Sequence, residues 1–190
     1  MNNMRNRTQK MILVSLFAAL TAIGALLKIS LPPVPFTLQI FFVVLSGLLL
    51  GSKLGFTSQV IYIALGLMGI PVFTDGGGLG YILSYKFGYL MGFAVSAYVS
   101  GIITERWASR VPSFRKYFIA SLVGLLACYI VALPYALVLS NLYFKSPLAI
   151  NILFGSFLAV FLPGDIVKMV LCAMLAVEVT KRIRLAGIMI

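Results

Sequence analysis

The chain has 190 residues, of which 62% are hydrophobic and only 10% are charged, with a mean hydropathy of +1.09. Soluble domains carry about 25% charged residues, so this composition indicates an integral membrane protein. At roughly 20 residues for each spanning helix, the length allows about six spans in one domain, residues 1–190. Histidine is absent and both cysteines lie in apolar runs, which excludes a disulfide framework and removes the commonest general base.

Apolar runs separated by glycine, proline or charge predict six transmembrane helices. In chain order they cover residues 11–29, 36–51, 54–70, 86–104, 117–140 and 163–181. The basic N-terminus followed by an apolar run also resembles a signal peptide, but apolar helices continue through the chain and favour a first spanning helix. The expected fold is therefore an all-α integral membrane bundle of six helices. No internal repeat is visible, which disfavours an inverted-repeat transporter.

The net charge of +11 comes from basic residues that cluster at the ends of the predicted helices. Six spans place most of them on one side of the membrane, and basic residues concentrate in cytoplasmic loops, so both termini are predicted to be cytoplasmic. The cytoplasmic set is Arg5, Arg7, Lys10, Lys53, Arg106, Arg110, Arg115, Lys116, Lys181, Arg182 and Arg184, and the outer set is Lys28, Lys86 and Lys145. A further span at 148–162 would remove this difference in basic charge between the two sides of the membrane, so that stretch is expected to be re-entrant or interfacial.

Asp165 and Lys168 lie inside the last apolar stretch of a chain that has only four acidic residues. A charge at membrane depth costs about 2.5–3.5 kcal/mol or more, so such a residue suggests a functional site. Their spacing places both on one face of a helix, and Pro163 predicts that this helix begins just before Asp165, at the outer end. The alternatives are an ion pair that only tolerates burial, or a ligand site in which Asp165 accepts N–H donors and Lys168 takes an oxygen.

The connection between the third and fourth predicted helices, residues 70–86, is long and rich in glycine. Long structured loops are usually functional. Gly77 and Gly78 permit a close approach of the backbone to a bound molecule, and Phe73 and Tyr81 offer apolar walls. The alternative is a flexible connection between two helices.

The segment before the second helix contains three prolines within residues 32–35 and is expected to be stiff and extended. Gln39 follows at the start of that helix and faces either the loop or the interior of the bundle. Burial of its amide without partners would be costly, so an interior position requires hydrogen-bond partners or a ligand.

Ala18 and Ala22 on the first helix have the spacing of small residues that lets two membrane helices approach closely. The spacing alone leaves two explanations open, internal packing within the bundle and contact with an external partner.

No catalytic or nucleotide-binding motif is recognisable, since the chain lacks HExxH, a Walker motif and neighbouring carboxylates. We expect a protein that is not an enzyme and uses no cofactor, and any energy for uptake would come from elsewhere. A small channel or a self-sufficient secondary transporter is an alternative class, but polar residues do not follow several helices as such a protein would require.

Four segments together resemble the BioY family, the biotin-specific substrate-binding (S) components of energy-coupling-factor (ECF) transporters. They are 33–39 (Pro-Val-Pro-Phe-Thr-Leu-Gln), 69–80 (Gly-Ile-Pro-Val-Phe-Thr-Asp-Gly-Gly-Gly-Leu-Gly), 88–93 (Gly-Tyr-Leu-Met-Gly-Phe) and 162–168 (Leu-Pro-Gly-Asp-Ile-Val-Lys). They occur in family order across nearly the whole chain. The chain departs from the family at 84–89, where Ser-Tyr-Lys-Phe-Gly-Tyr replaces the frequent Pro-Thr-x-Gly-Tyr.

The resemblance implies a six-helix S component in a bacterial cell membrane, with biotin held near the outer face under the loops between helices one and two and helices three and four. It also implies assembly with a membrane coupling protein and two cytoplasmic ATPases. Asp165 would accept the ureido N–H groups of biotin, and Lys168 would hold either the ureido oxygen or the carboxylate. The other implied substrate contacts are Gln39, Phe73, Gly77, Gly78, Tyr81 and Tyr89, and the implied coupling contacts are Ala18 and Ala22. An S component for another vitamin is the alternative within this fold.

Overall fold

The computed structural model describes residues 2–29, 36–107, 111–142 and 150–185. These residues form α1 (Asn2–Leu26), β1 (Lys28–Ile29), β2 (Phe36–Thr37), α2 (Gln39–Leu50), α3 (Ser52–Leu67), a 3₁₀ helix (Leu79–Leu83), α4 (Phe87–Glu105), α5 (Phe114–Leu142) and α6 (Ile150–Leu185). Within these ranges the protein is mostly helical.

Three helical segments in the described ranges are long and apolar enough to cross a membrane, namely Arg7–Leu26, Phe87–Glu105 and Phe114–Asn141. Gln39–Leu50 is apolar too, but it is shorter than the roughly 20 residues that a full span requires. The apolar composition is therefore organised as membrane-length helices, in agreement with the predicted class of protein.

The predicted start of the last helix at residue 163 was wrong, whereas a re-entrant or interfacial position of the stretch 148–162 stays a prediction. Residues 150–162 are the first turns of α6, which continues without interruption to Leu185 and has Pro163 in its interior. A proline removes one backbone hydrogen bond from a helix, but membrane helices tolerate it where neighbouring elements pack against the freed groups. Asp165 and Lys168 consequently lie in the middle of a long helix, not in its first turn.

A single residue, Gly51, joins α2 to α3, whereas the predicted helix bounds left residues 52 and 53 between them. Its φ of 83° lies in the region that glycine enters without steric cost. The end of α4 secures this turn, because the Glu105 carboxylate accepts a 2.7 Å hydrogen bond from the Ser52 amide and bonds from the Ser52 hydroxyl. An acidic group at a helix N-terminus is electrostatically favourable, so Glu105 at the end of α4 stabilises the N-terminus of α3 and joins the two helices.

A short β pairing between α1 and α2 departs from the all-α expectation. Lys28 pairs with Thr37 and Ile29 with Phe36 in an antiparallel arrangement. The expected proline-stiffened segment lies mostly at 30–35, outside the described residues. The pairing fixes the position of Phe36 and Thr37 directly before α2.

A buried polar cluster ties α1, α2 and α3 together. The Gln59 side-chain amide nitrogen lies within hydrogen-bond distance of Thr21 Oγ1 at 3.3 Å, Ser46 Oγ at 3.4 Å and Ser58 Oγ at 3.1 Å, which share its two N–H donors. All four residues are inaccessible to solvent. Since helices in lipid gain little from hydrophobic attraction to each other, such interhelical hydrogen bonds help to hold them in one arrangement.

Candidate ligand-binding site

A cavity that is partly open to solvent lies between α2, α4, α5 and α6, beneath β2 and the loop 70–86. Its volume is about 610 Å³ including the part open to solvent. The lining residues are Phe36, Thr37, Gln39, Ile40, Thr74, Tyr81, Lys86, Tyr89, Leu90, Phe93, Leu125, Cys128, Tyr129, Phe161, Asp165 and Lys168. The wall is largely apolar and aromatic, with a few polar groups at defined positions.

Asp165 and Lys168 form an ion pair in this wall, with 2.7 Å between Lys168 Nζ and Asp165 Oδ1. The Lys168 ammonium also donates to the backbone carbonyl of Thr37 at 2.7 Å and lies 3.5 Å from the centroid of the Phe36 ring. Only 6% of Asp165 and 5% of Lys168 is exposed. Attraction and hydrogen bonds thus compensate for burial of both charges, as a buried pair requires.

Tyr129 on α5 completes the surroundings of the carboxylate by donating its hydroxyl proton to Asp165 Oδ2. Tyr89 on α4 meets the Tyr129 ring edge to face, with 6.2 Å between ring centroids. A carboxylate has about four lone-pair sites, so two donors leave Asp165 able to accept from a ligand. Two aromatic faces therefore lie beside an acceptor inside the cavity.

Gln39 lies at the start of α2 with 4% of its surface exposed, so the interior alternative is the one found. Its side-chain amide nitrogen donates to the Tyr62 hydroxyl at 2.7 Å, and its carbonyl oxygen accepts from Thr37 Oγ1 at 3.2 Å. Tyr62 in turn donates to the carbonyl of Val72 at 3.1 Å. The amide is satisfied while it lines the cavity, and it links α2 to the loop 70–86.

The predicted loop residues occupy two different positions. Tyr81 lines the cavity and its hydroxyl is 2.8 Å from Thr74 Oγ1, with burial raising the pKa of Tyr81 to about 12. Phe73 is 2% exposed and packs between Tyr62 and Tyr81, with ring centroids 5.5 Å and 4.6 Å away. It therefore supports the wall from behind, and its predicted contact with a ligand stays a prediction.

Gly77 and Gly78 attach the loop to the end of α3. The Gly78 amide donates to the carbonyl of Gly66 at 2.7 Å, and a Cβ on Gly77 would lie 2.8 Å from that same oxygen. The backbone at Gly77 and Gly78 therefore lies close to the end of α3 and packs the loop against that helix. Direct contact of Gly77 or Gly78 with a ligand, implied by the resemblance, stays a prediction.

An ion triad joins the elements that cover the cavity. Asp75 in the loop 70–86 pairs with Lys28 of β1 at 3.5 Å and with Lys86, which lines the cavity. The Lys28 ammonium also donates to the carbonyl of Thr74. The hydrogen bond from Lys86 lowers the pKa of the Asp75 carboxyl below its usual value, with Lys28 adding to the effect and burial opposing it.

The two alanines predicted as a partner surface face different surroundings. Ala18 is 4% exposed and belongs to the core, so for this residue internal packing is the explanation that the structure supports. Ala22 is half-buried and packs against the core from the side. Contact of Ala22 with a coupling protein stays a prediction.

Sequence reasoning missed several residues of the cavity, above all Tyr129, Phe36 and Lys86. Tyr129 interrupts an apolar run, and a buried tyrosine hydroxyl usually requires a partner, so pairing it with the chain's buried carboxylate was a possible inference. No comparable signal marked Phe36 or Lys86, because their role depends on which elements fold over the cavity. In the part of the chain that the structure describes, no cluster of acidic or cysteine residues could hold a metal ion.

These features define the class of this protein: it is a helical membrane protein with a cavity for a small molecule. The BioY family profile matches residues 1–185. A probable biotin transporter BioY of Lysinibacillus sphaericus is 50% identical over 136 residues, which are 72% of this chain and 68% of that protein. The biotin transporter BioY of Thermotoga maritima is 35% identical over 174 residues, which are 91% of this chain and 96% of that protein.

A solved structure has the same fold, namely the S component for biotin from an ECF-type ABC transporter. It matches with a TM-score of 0.77 and 25% identity over 93% of each chain. This chain belongs to the BioY family. The resemblance drawn from the four sequence segments is therefore confirmed, and the relatives bear the names of transporters, not of enzymes.

Proposed function

We propose that this chain binds biotin as the S component of an ECF transporter, with residues 1–190 as one substrate-binding unit. The observation that carries the proposal is the Asp165–Lys168 ion pair in the wall of a cavity lined by aromatic rings. Biotin combines an apolar bicyclic ring with a ureido group that has two N–H donors and one oxygen acceptor. Asp165 accepts the donors, and Lys168 donates to the oxygen.

The surroundings of Lys168 favour the ureido oxygen over the biotin carboxylate. The ammonium has three donors, of which Asp165 and the Thr37 carbonyl take two. A second carboxylate at this place would lie beside Asp165 in a buried site, where like charges repel strongly. A neutral carbonyl oxygen avoids that repulsion.

Lys86 is the better partner for the carboxylate at the other end of biotin. It lines the cavity and belongs to a triad of two lysines and one aspartate, which carries a net charge of +1. Its side chain is 23% exposed, so the carboxylate keeps some contact with water. In the proposed complex, Gln39, Tyr81, Tyr89 and Tyr129 surround the ring and chain between the two lysines, with Phe73, Gly77 and Gly78 holding the loop in place.

The proposed arrangement in the bacterial cell membrane has six spans, cytoplasmic termini and the cavity facing outward. The charge asymmetry of the sequence supports this orientation. The chain depends on a membrane coupling protein and two ATPases for energy, because it has no nucleotide-binding motif of its own. Ala22 is the residue of the predicted pair that retains exposed surface for the coupling protein.

Calorimetry on the purified protein tests the site. Asp165→Asn and Lys168→Met are expected to weaken biotin binding by about tenfold to a hundredfold, the loss expected for a hydrogen bond to a charged group. Wild-type affinity in both variants would overturn the assignment. For Lys86, biotin is compared with neutral biotin amide, and Lys86→Met should reduce the preference for biotin.

Lys28→Met is the matched control, because Lys28 pairs with the same aspartate but does not belong to the cavity lining. It should keep the preference for biotin over the amide. Vesicle uptake separates the transport mechanisms, since accumulation without coexpressed ATPases would favour a self-sufficient secondary transporter. Retention of a different vitamin in place of biotin would favour the other S-component alternative.

A further inference from the structure

A second, smaller cleft lies at the end of α4 that is remote from the ligand cavity. The end of α4, the start of α5 and the end of α6 surround it, and its volume is about 260 Å³ including the part open to solvent. The Tyr117 hydroxyl donates to Thr180 Oγ1 at 3.0 Å and thereby joins α5 to α6 beside the cleft. Two helices that are joined by this partly buried hydrogen bond form one wall of the cleft.

Two cationic side chains, Lys116 and Arg184, line this cleft together with the hydroxyl of Ser113. None of its described lining residues is acidic. The cleft is therefore a concave surface lined by positive charge and hydroxyl groups, which suits an anion.

An aromatic and apolar rim accompanies these charges. Trp107, the only tryptophan of the chain, lines the cleft and is half-buried. Val111 on the same rim is 77% exposed. Tryptophan concentrates at the level of lipid headgroups, where one side of the ring is apolar and the other is wet. A ligand with an anionic head and an apolar body would match both parts of the cleft.

We propose that this cleft binds the phosphate of an anionic phospholipid. Lys116 and Arg184 form charge-assisted hydrogen bonds to the phosphate oxygens, and Trp107 and Val111 contact the glycerol and the first part of the acyl chains. Basic pockets between membrane helices bind lipid headgroups in this way. The site is independent of the biotin site, so a bound lipid would anchor the α4–α5–α6 end in its leaflet.

Other basic residues also lie at this end of the molecule, but they do not line the cleft. Lys53 and Lys181 lie on exposed surface and are not part of the cleft lining. They provide a control that removes the same net charge. Unlike them, Lys116 and Arg184 line one concave site with an aromatic rim.

Trp107 fluorescence gives a direct measurement on the full chain in a non-ionic detergent. Dihexanoyl phosphatidylglycerol is expected to change the emission saturably, at a concentration about tenfold below that required for dihexanoyl phosphatidylcholine. The double variant Lys116→Gln, Arg184→Gln should lose this difference, whereas Lys53→Gln, Lys181→Gln should keep it. Should the first variant not fold, Arg184→Gln alone at the exposed end of α6 takes its place.

Other outcomes overturn the proposal. Equal responses to the two lipids would show that the headgroup charge is not recognised. If both double variants lost the difference between the two lipids equally, the difference would be due to the overall charge of the protein and not to this cleft. Saturation by inorganic phosphate at constant ionic strength, with no added effect of the lipid, would assign the cleft to a soluble anion. Displacement of the lipid by an acidic peptide alone, without lipid selectivity, would assign it to a protein partner.

Discussion

The Lys168 ammonium lies 2.7 Å from Asp165 on its own helix and 2.7 Å from the backbone carbonyl of Thr37, 131 residues earlier in the chain. One side chain thus connects the charge pair of α6 to the β strand that precedes α2. Because Thr37 also holds Gln39, the site and the cover of the cavity form one hydrogen-bonded unit. A ligand that binds Asp165 and Lys168 is therefore connected by hydrogen bonds to β2 and to the start of α2.

The first prediction concerns the stability of the buried pair. Lys168→Met leaves the Asp165 carboxylate buried without its cation, which should cost about 3–5 kcal/mol of unfolding free energy. The double variant Asp165→Asn, Lys168→Met removes both charges and should recover much of this loss, yet fail to bind biotin. Thermal unfolding in detergent and calorimetry measure the two effects. A double variant less stable than Lys168→Met would contradict the buried pair as the origin of the loss.

The second prediction concerns the hydroxyl that holds Gln39. Tyr62→Phe leaves the Gln39 amide nitrogen without the partner that it has at 2.7 Å, so we expect a loss of about 1–3 kcal/mol of stability and weaker biotin binding. Thermal unfolding and calorimetry provide the measurement. Tyr98→Phe on an exposed face of α4 serves as the control and should change stability by less than about 0.5 kcal/mol. Equal effects of the two substitutions on stability and binding would contradict the proposed importance of the Tyr62–Gln39 hydrogen bond.

The third prediction concerns the contact between α3 and the loop 70–86. A Cβ on Gly66 would overlap the Phe73 ring, so Gly66→Ala should displace Phe73 and increase the dissociation rate of biotin, although Gly66 lies outside the cavity lining. Overpacking of this kind costs about 1–3 kcal/mol. Stopped-flow displacement of labelled biotin measures the rate.

Gly80→Ala is the matched control for that substitution, because a Cβ at Gly80 meets nothing within 4 Å. It should leave the dissociation rate unchanged. Replacing Phe73 by leucine in the Gly66→Ala background should restore part of the slow release. A rate unaltered by Gly66→Ala would show that the Phe73 contact does not hold the loop.

The fourth prediction is a pH dependence of the ion triad at the cavity mouth. The pKa of Asp75 is lowered in the folded protein, so its contribution to stability is complete above the unfolded value of about 3.9 and is lost as the pH falls through the lower folded pKa. The melting temperature of the ligand-free protein should exceed that of Asp75→Asn by a constant, small amount between pH 5 and 8. This difference should begin to fall at about pH 4 and vanish only below the folded pKa of Asp75, and a difference that grows on acidification would contradict the sign of the shift.

Much of the site was predictable from residue chemistry together with the family resemblance. Asp165 and Lys168 are conspicuous because charges within a long apolar run are costly, and the structure brings them together with Gln39, Tyr81 and Tyr89 around one cavity. Phe73, Gly77 and Gly78 were assigned to the correct loop, but their side of the loop was not predictable. It depends on how the loop folds back onto Gly66 at the end of α3, and no local sequence pattern specifies that packing.

The bounds of α6 show where local rules fail. Pro163 and Gly164 look like the start of a helix, but the structure continues α6 through them, because tertiary packing outweighs a weak local preference. The partners of the ion pair also come from distant parts of the chain. Tyr129 donates to Asp165 and the Thr37 carbonyl accepts from Lys168, and no sequence spacing connects either residue to the pair.

The sequence by itself determined the membrane-protein class, the helical composition, the family and the pair of buried charges. These properties follow from hydrophobicity, charge cost and helical spacing, which act between residues that are close along the chain. Only the tertiary structure decided which partners satisfy those charges, that Ala18 packs internally, and that Lys86 lies over the same cavity as Lys168. Such relations depend on the packing of several helices at once, and packing is a property of their surfaces in three dimensions.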